Sequence, residues 1–255
     1  MISAFLSALI GIYLHLINFP DFVLSVAAPT LDAVLNHPAI WRGNDCARVA
    51  VPSVPTGFAE LDVLLPGEGW PSGALTEIYF ERPGIGELQL VMPAAARLTR
   101  AERWLAMIAP PCIPYAPALA AHGVRLSRLM LLQPKTADEQ LWACEQALHS
   151  ENCGAVLAWM NRIQERAMRR LQLAAERGGT LAMLFRPARA TAFPSAALRL
   201  HVSKADGRTI VRILKRRGGG ISAPVALDLY GEVNRRPITS PRPAVVLPCL
   251  PAPAH

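Results

Sequence analysis

Leu75-Thr76-Glu77-Ile78-Tyr79-Phe80-Glu81-Arg82-Pro83-Gly84-Ile85-Gly86-Glu87-Leu88 reads as a short apolar strand, a loop of Pro and Gly, and the start of a helix. Backbone N–H groups of such a loop, backed by a helix N-terminus, have the geometry of a phosphate cradle. The side chains contradict it. A phosphate-binding loop needs Lys on the phosphates and Ser or Thr on Mg²⁺ directly after its last glycine, and Glu87 and Leu88 hold those places. Glu87 repels a triphosphate, and Leu88 cannot ligate a metal. Gly84, Gly86, Glu87 and Leu88 therefore form a degenerate nucleotide loop that keeps the backbone signature without the chemistry.

Outward from this loop, short apolar runs alternate with helical stretches. Strands are expected at Leu75–Phe80, Trp104–Ala109, Leu129–Gln133, Gly154–Trp159, Leu181–Phe185, Leu198–Ser203 and Thr209–Leu214. Helices are expected at Glu87–Arg103, Tyr115–His122, Thr136–His149 and Asn161–Arg177, with a short one from Thr30 as N-cap. Strand–helix–strand alternation at this spacing predicts an α/β fold, a mainly parallel sheet with helices on both faces. Asp206-Gly207 marks a hairpin between the last two strands. From Gly218 three glycines and then seven prolines predict a disordered tail or docking linker.

The chain has 255 residues, 52% hydrophobic and 18% charged, which excludes a wholly disordered protein. Its net charge of +7 is not evenly spread. Residues 160–220 carry fourteen Lys or Arg against Glu165, Glu176 and Asp206, a local excess of +11 that leaves −4 for the rest. On a helical wheel Arg162, Arg166, Arg169, Arg170 and Arg177 fall within an arc of about 100°, opposite Ile163, Met168, Leu171 and Ala174. Lys215, Arg216 and Arg217 form a second cluster at a strand end. Two readings stand for this basicity: a solvated face, or a surface for DNA phosphates or an acidic partner. With 6% aromatic residues and few among the arginines, a base-stacking platform is not expected.

Five cysteines without a C-x-x-C pair, and six histidines without a cluster, predict neither a zinc site nor a disulfide framework. No nucleophile–base constellation is visible, so no catalytic residue, metal or cofactor is expected. Residues 1–27 begin with an apolar stretch, Met1 to Phe19, without Asp, Glu, Lys or Arg. It reads as an over-extended start, a membrane anchor or a packed helix. Residues 28–55 follow as an N-terminal helix and linker, 56–219 as the core and 220–255 as the Pro-rich tail.

Thr56-Gly57, Leu61-Asp62, Gly67-Glu68-Gly69-Trp70-Pro71, Gly73 and Thr76-Glu77-Ile78-Tyr79 resemble the approach to the phosphate loop of RecA recombinases. Leu132-Gln133-Pro134 and Val211–Arg217 with Ala223-Pro224 extend the likeness over about two-thirds of the chain. Ile40-Trp41-Arg42-Gly43, Arg82–Leu88 and Ile213–Gly219 more closely resemble ImuA, the RecA- and SulA-related family of bacterial translesion DNA synthesis. The resemblance implies a RecA-like P-loop core with degenerate Walker motifs. Besides Glu87 and Leu88, Trp159 stands where a Mg²⁺-organising Asp is expected, and Ala109-Pro110-Pro111-Cys112 lacks the water-activating Glu. Phosphoryl transfer depends on those charges, so the chain is expected not to be an enzyme.

What the resemblance further implies is a cytoplasmic, non-catalytic accessory protein of SOS-induced mutagenic translesion synthesis. Its partners would be an ImuB-like Y-family polymerase homologue, an error-prone replicative polymerase, RecA and DNA. Arg162, Arg166, Arg169, Arg170, Lys215, Arg216 and Arg217 would carry DNA or partner binding, with Lys215 and Arg217 facing a RecA-like neighbour or DNA. Arg186–Phe193 falls where RecA has a DNA-binding loop, but the connection is short, so weaker or different DNA engagement is expected. Two alternatives are a SulA-like cell-division inhibitor acting on a cytoskeletal GTPase, which would need no basic groove, and a true DNA-dependent ATPase.

Overall fold

The computed structural model describes residues 52–217 and 222–229. The readings of residues 1–27, of the Thr30 helix and of most of the tail lie outside the described residues. An eight-stranded sheet organises the rest. Its strands are β3 (Ala74–Phe80), β4 (Trp104–Ile108), β5 (Leu129–Leu132), β6 (Cys153–Trp159), β7 (Leu181–Pro187), β8 (Leu198–Ala205), β9 (Arg208–Lys215) and β10 (Val225–Leu227). They lie in the order β10-β9-β8-β3-β7-β6-β4-β5, parallel from β8 to β5 and antiparallel at β8–β9 and β9–β10. A two-residue ladder, β1 (Ser53–Val54) with β2 (Trp70–Pro71), precedes it. The helices are α1 (Ala59–Asp62), α2 (Met92–Arg100), α3 (Ala116–Ala121), α4 (Ala137–His149) and α5 (Glu165–Gly178).

The expected α/β fold with a mostly parallel sheet is therefore present, with an apolar layer on each face of the sheet. Ile78, Phe80, Met107, Leu157 and Phe185 pack with Leu90, Ala94 and Ala95 on the α2 side. Leu75, Ala106, Val156 and Leu184 pack with Leu148 of α4 and Met168, Leu171 and Ala175 of α5 on the other. Every residue of β3 is buried, because the strand is central and covered twice.

Three local expectations are corrected. The helix after the loop does not start at Glu87: a 3-10 turn at Gln89–Val91 comes first, and α2 begins at Met92 with Pro93 in its first turn. Proline has no N–H to give an earlier turn and fixes the helical φ, so it suits a helix start. The helix expected from Asn161 starts only at Glu165, because Gln164 is extended. The tail is not wholly disordered: Val225–Leu227 pairs with β9, where Leu227 and Leu229 are buried against the core. Pro224 immediately precedes that strand, a position where its missing N–H is tolerated.

Other expectations hold in detail. Asp206 and Gly207 both have positive φ, +49° and +75°, as a two-residue hairpin loop requires. At the start of α4 Thr136 and Glu139 form a capping box: the Thr136 hydroxyl accepts from the Glu139 amide, and the Glu139 carboxylate from the Thr136 amide.

Cys144 and Cys153 are buried free thiols. Burial pushes the Cys144 thiol up to about 12, with the neighbouring Glu145 adding to it, and Cys153 up to about 11. Both thiols stay protonated in the folded chain at pH values where they ionise once unfolded. Their contribution to stability is full below the unfolded thiol value of 9.0 and is lost as pH rises through about 11 to about 12. Alkylation at pH 8, read by mass spectrometry, is expected to leave Cys144 and Cys153 unmodified until denaturant is added.

Candidate functional site

The degenerate loop lies beyond the carboxyl end of β3, where nucleotides bind in open α/β sheets. Its own side chain fills it. The Gly84 amide donates to both carboxylate oxygens of Glu87, at 2.9 and 3.1 Å, and Glu87 is 5% exposed. An incoming phosphate would have to displace this carboxylate and accept like-charge repulsion from it. Leu88 is half-buried against the α2-side core rather than directed to a metal. Gly86, at φ +106°, is pressed from the side: a Cβ there would lie 2.6 Å from Leu229 Cδ1 and 3.0 Å from Thr209 Oγ1. A side chain there would strain the backbone at that φ and have to push the Leu229 side chain aside.

The other two positions read from the sequence as lacking a carboxylate are apolar in the structure. The Trp159 ring stacks on Phe185 with centroids 4.6 Å apart and planes 13° from parallel. Ala109 leaves β4 with φ +50°, and Pro110 behind it is buried. Among the described residues no group of three His, Cys, Asp or Glu side chains could hold a metal. The four loop residues thus share one place, but as a closed turn.

The basic residues separate into two kinds. Arg162, Arg166, Arg169 and Arg170 are exposed, in or just before α5. Arg170 pairs with Glu145 of α4 at 2.6 Å, whereas Arg162, Arg166 and Arg169 have no carboxylate within salt-bridge distance among the described residues. Arg166 and Arg169 line a groove of about 640 Å³ together with Glu165, Gln172 and Leu173, facing Pro194 and Ser195. The second cluster lies at the other end of α5, where Arg217 reaches Glu176 at 3.8 Å.

Lys215 and Arg216 turn inward. Lys215 donates to the carbonyls of Pro194 and, at 2.7 Å, Ala196; Arg216 donates to the carbonyl of Leu64. Burial pulls the Lys215 ammonium below its ordinary value, and Arg199 adds repulsion. Arg186 and Arg199 are likewise absorbed, so four of the fourteen basic residues of 160–220 hold the fold rather than a surface. Wheel and strand periodicity report which face a residue takes, not whether a carbonyl waits there.

Sequence reasoning gave Glu77 no structural role, yet it organises this region. Glu77 is fully buried in β3; Oε1 accepts from Arg186 Nη1 at 2.6 Å, and Oε2 from Arg199 Nε at 2.8 Å. Arg186 also donates to the Thr191 carbonyl and Arg199 to that of Phe193, so the pair pins the segment between β7 and β8. Tyr79 donates to the same carboxylate at 3.2 Å; burial, then the Glu77 charge, push its phenol up against the pull of both arginines. The signal was available: one carboxylate inside the apolar run Leu75–Phe80 requires a buried cation.

Comparison with known proteins bears on the same core. Residues 73–182, from the start of β3 to the start of β7, match the family described as cell division inhibitor SulA. SulA of Edwardsiella piscicida is 34% identical over 101 residues, which are 39% of this chain and 60% of that relative. The SulA proteins of Serratia marcescens and of Yersinia pestis (strain Pestoides F) are 26% and 27% identical over 121 and 133 residues. Those alignments cover 48% and 51% of this chain, and 72% and 79% of the relatives. The chain thus spans about 60% of the Edwardsiella relative's length, and the matched family segment ends before the Arg186 network, β8 and β9. Across its central strands and helices, this chain is similar to proteins named as SulA cell-division inhibitors.

Proposed function

We propose that the chain is a non-enzymatic, SOS-linked protein that acts by docking its α/β body on a protein partner. The observation that carries this is the Glu87 carboxylate seated on the Gly84 amide, within a segment shared with proteins named as cell-division inhibitors. A loop that accepts its own carboxylate has no place for phosphate, and Trp159 and Leu88 supply no metal site. What such a core retains is shape and surface, the means of a binding protein. The likeness to SulA supports an inhibitor of cell division, and we take a cytoskeletal division GTPase as its partner.

A second reading, ImuA-like service to translesion polymerases and RecA on a RecA-type core, has its own support. The sheet order β10-β9-β8-β3-β7-β6-β4-β5 continues past the SulA-matched segment with three further strands. Arg162, Arg166 and Arg169, without a carboxylate partner among the described residues, give an anion-seeking surface that division inhibition does not call for.

Two measurements on cells separate the readings. Forced expression of the full chain without DNA damage is expected to give filaments under the first, read as cell length. Deletion of its gene is expected to lower damage-induced mutation frequency under the second. ATP turnover by the purified chain that disappears on substitution of Glu87 would overturn both.

A further inference from the structure

We propose that the groove between the first half of α5 and residues 193–195 docks an acidic peptide segment of a protein partner, anchored by an aliphatic side chain. This deepens the partner-binding reading and rests on it. One wall carries Arg166 and Arg169, exposed and without carboxylate partners among the described residues. Glu165, Arg169 and Leu173 recur at i, i+4 and i+8, so the same wall presents an acid, a base and an apolar side chain in line. Leu173 is 45% exposed, and Pro194 stands opposite.

This mixture selects against nucleic acid. A phosphate chain carries a charge at every step and cannot pass Glu165 without repulsion, and sugars and phosphates gain nothing from Leu173 and Pro194. A peptide can set carboxylates against the arginines, a neutral residue against Glu165 and an aliphatic one on Leu173. Nor is there a stacking surface: Phe193 is half-buried with the Arg186 guanidinium 5.7 Å from its ring centre.

The facing wall is held ready. Arg186 holds the Thr191 carbonyl, Arg199 that of Phe193, and Lys215 those of Pro194 and Ala196. Four carbonyls are thus turned inward onto cations, which lowers the ordering cost of binding. Behind the wall Glu77 is the one acid in contact with Arg186 and Arg199 among the described residues, so the local field remains positive and favours an anionic segment.

The test uses the full chain and a displayed library of short random peptides as probe. Enriched peptides are expected to combine Asp or Glu with a Leu, Ile or Val. Their affinity is expected to fall at least about tenfold, a 1.4 kcal/mol change, in Arg166→Glu/Arg169→Glu and again in Leu173→Asp. Arg212→Glu, an exposed charge reversal on β9, is expected to leave it unchanged. Enrichment without acidic residues, an equal loss in Arg212→Glu, or displacement of the peptides by a single-stranded oligonucleotide would overturn the proposal. Peptide binding without either cellular phenotype would sink the functional reading and leave the groove standing. Either phenotype unaffected by Arg166→Glu/Arg169→Glu places the docking elsewhere.

Discussion

Replacing Glu77 by Ala is expected to cost about 3–5 kcal/mol of folding stability, the range for removing one partner from a buried ion pair. The reason is the environment it leaves. Arg186 and Arg199 have side chains 2% and 13% exposed, and both donate to the Glu77 carboxylate. Without it two guanidinium groups remain in the protein with loop carbonyls and the Tyr79 hydroxyl as their acceptors, and Arg186 Nε already lacks a partner among the described residues. Replacing the whole set with apolar residues, Glu77→Leu/Arg186→Met/Arg199→Met, is expected to recover much of the loss, because no buried charge is then stranded. Urea denaturation midpoints at constant slope measure both. A second readout follows the loop rather than global stability. Both variants lose the anchors at Thr191 and Phe193 in whole or part, so trypsin cleavage after the exposed Arg189 is expected to accelerate even where stability returns. A Glu77→Ala chain with unchanged midpoint would show that the pair is hydrated and the network idle.

Phe185→Ala carries the second large effect, also about 3–5 kcal/mol, the usual cost of deleting a buried aromatic ring from a core. Phe185 is fully buried in the middle of the sheet, paired in register with Trp159 and Ile78. Its ring is stacked on that of Trp159 at 4.6 Å, an arrangement worth about 0.5–1.5 kcal/mol beyond buried area. The indole thus occupies, as packing, the strand end at which a metal-organising carboxylate would sit. Trp142→Ala is the contrast: that ring, 64% exposed on α4, is expected to change stability by no more than about 0.5 kcal/mol. A comparable loss at both sites would mean that size rather than burial governs.

The fold was largely legible. Seven expected strands lie within a residue or two of the observed ones, because the buried central strands β3, β4, β6 and β7 read as unbroken apolar runs and β8 and β9 as alternating ones. The misses have local causes: Pro93 delays α2 to Met92, and the two-residue β1 and β2 are too short for any period to register. β10 went unread because its strand character comes from the free edge of β9, which lies far away in sequence until the hairpin brings it alongside.

At the candidate site, chemistry was legible from residue identity and geometry was not. The absence of Lys, Ser or Thr and Asp from the loop and strand ends already argued against phosphoryl transfer, since that reaction requires particular charges whatever the packing. That Glu87 turns back onto the Gly84 amide needed coordinates. So did the division of the basic block. A count of charges cannot tell Arg166, which faces solvent, from Arg186, held by a carboxylate 109 residues earlier in the chain. Sequence alone determined the alternation of elements and the lack of phosphate- and metal-binding side chains after Gly86, because both follow from side-chain identity and local period. Only the tertiary structure decided which cations are surface and which are mortar, because that depends on where distant strands set a buried glutamate and the carbonyls of a loop.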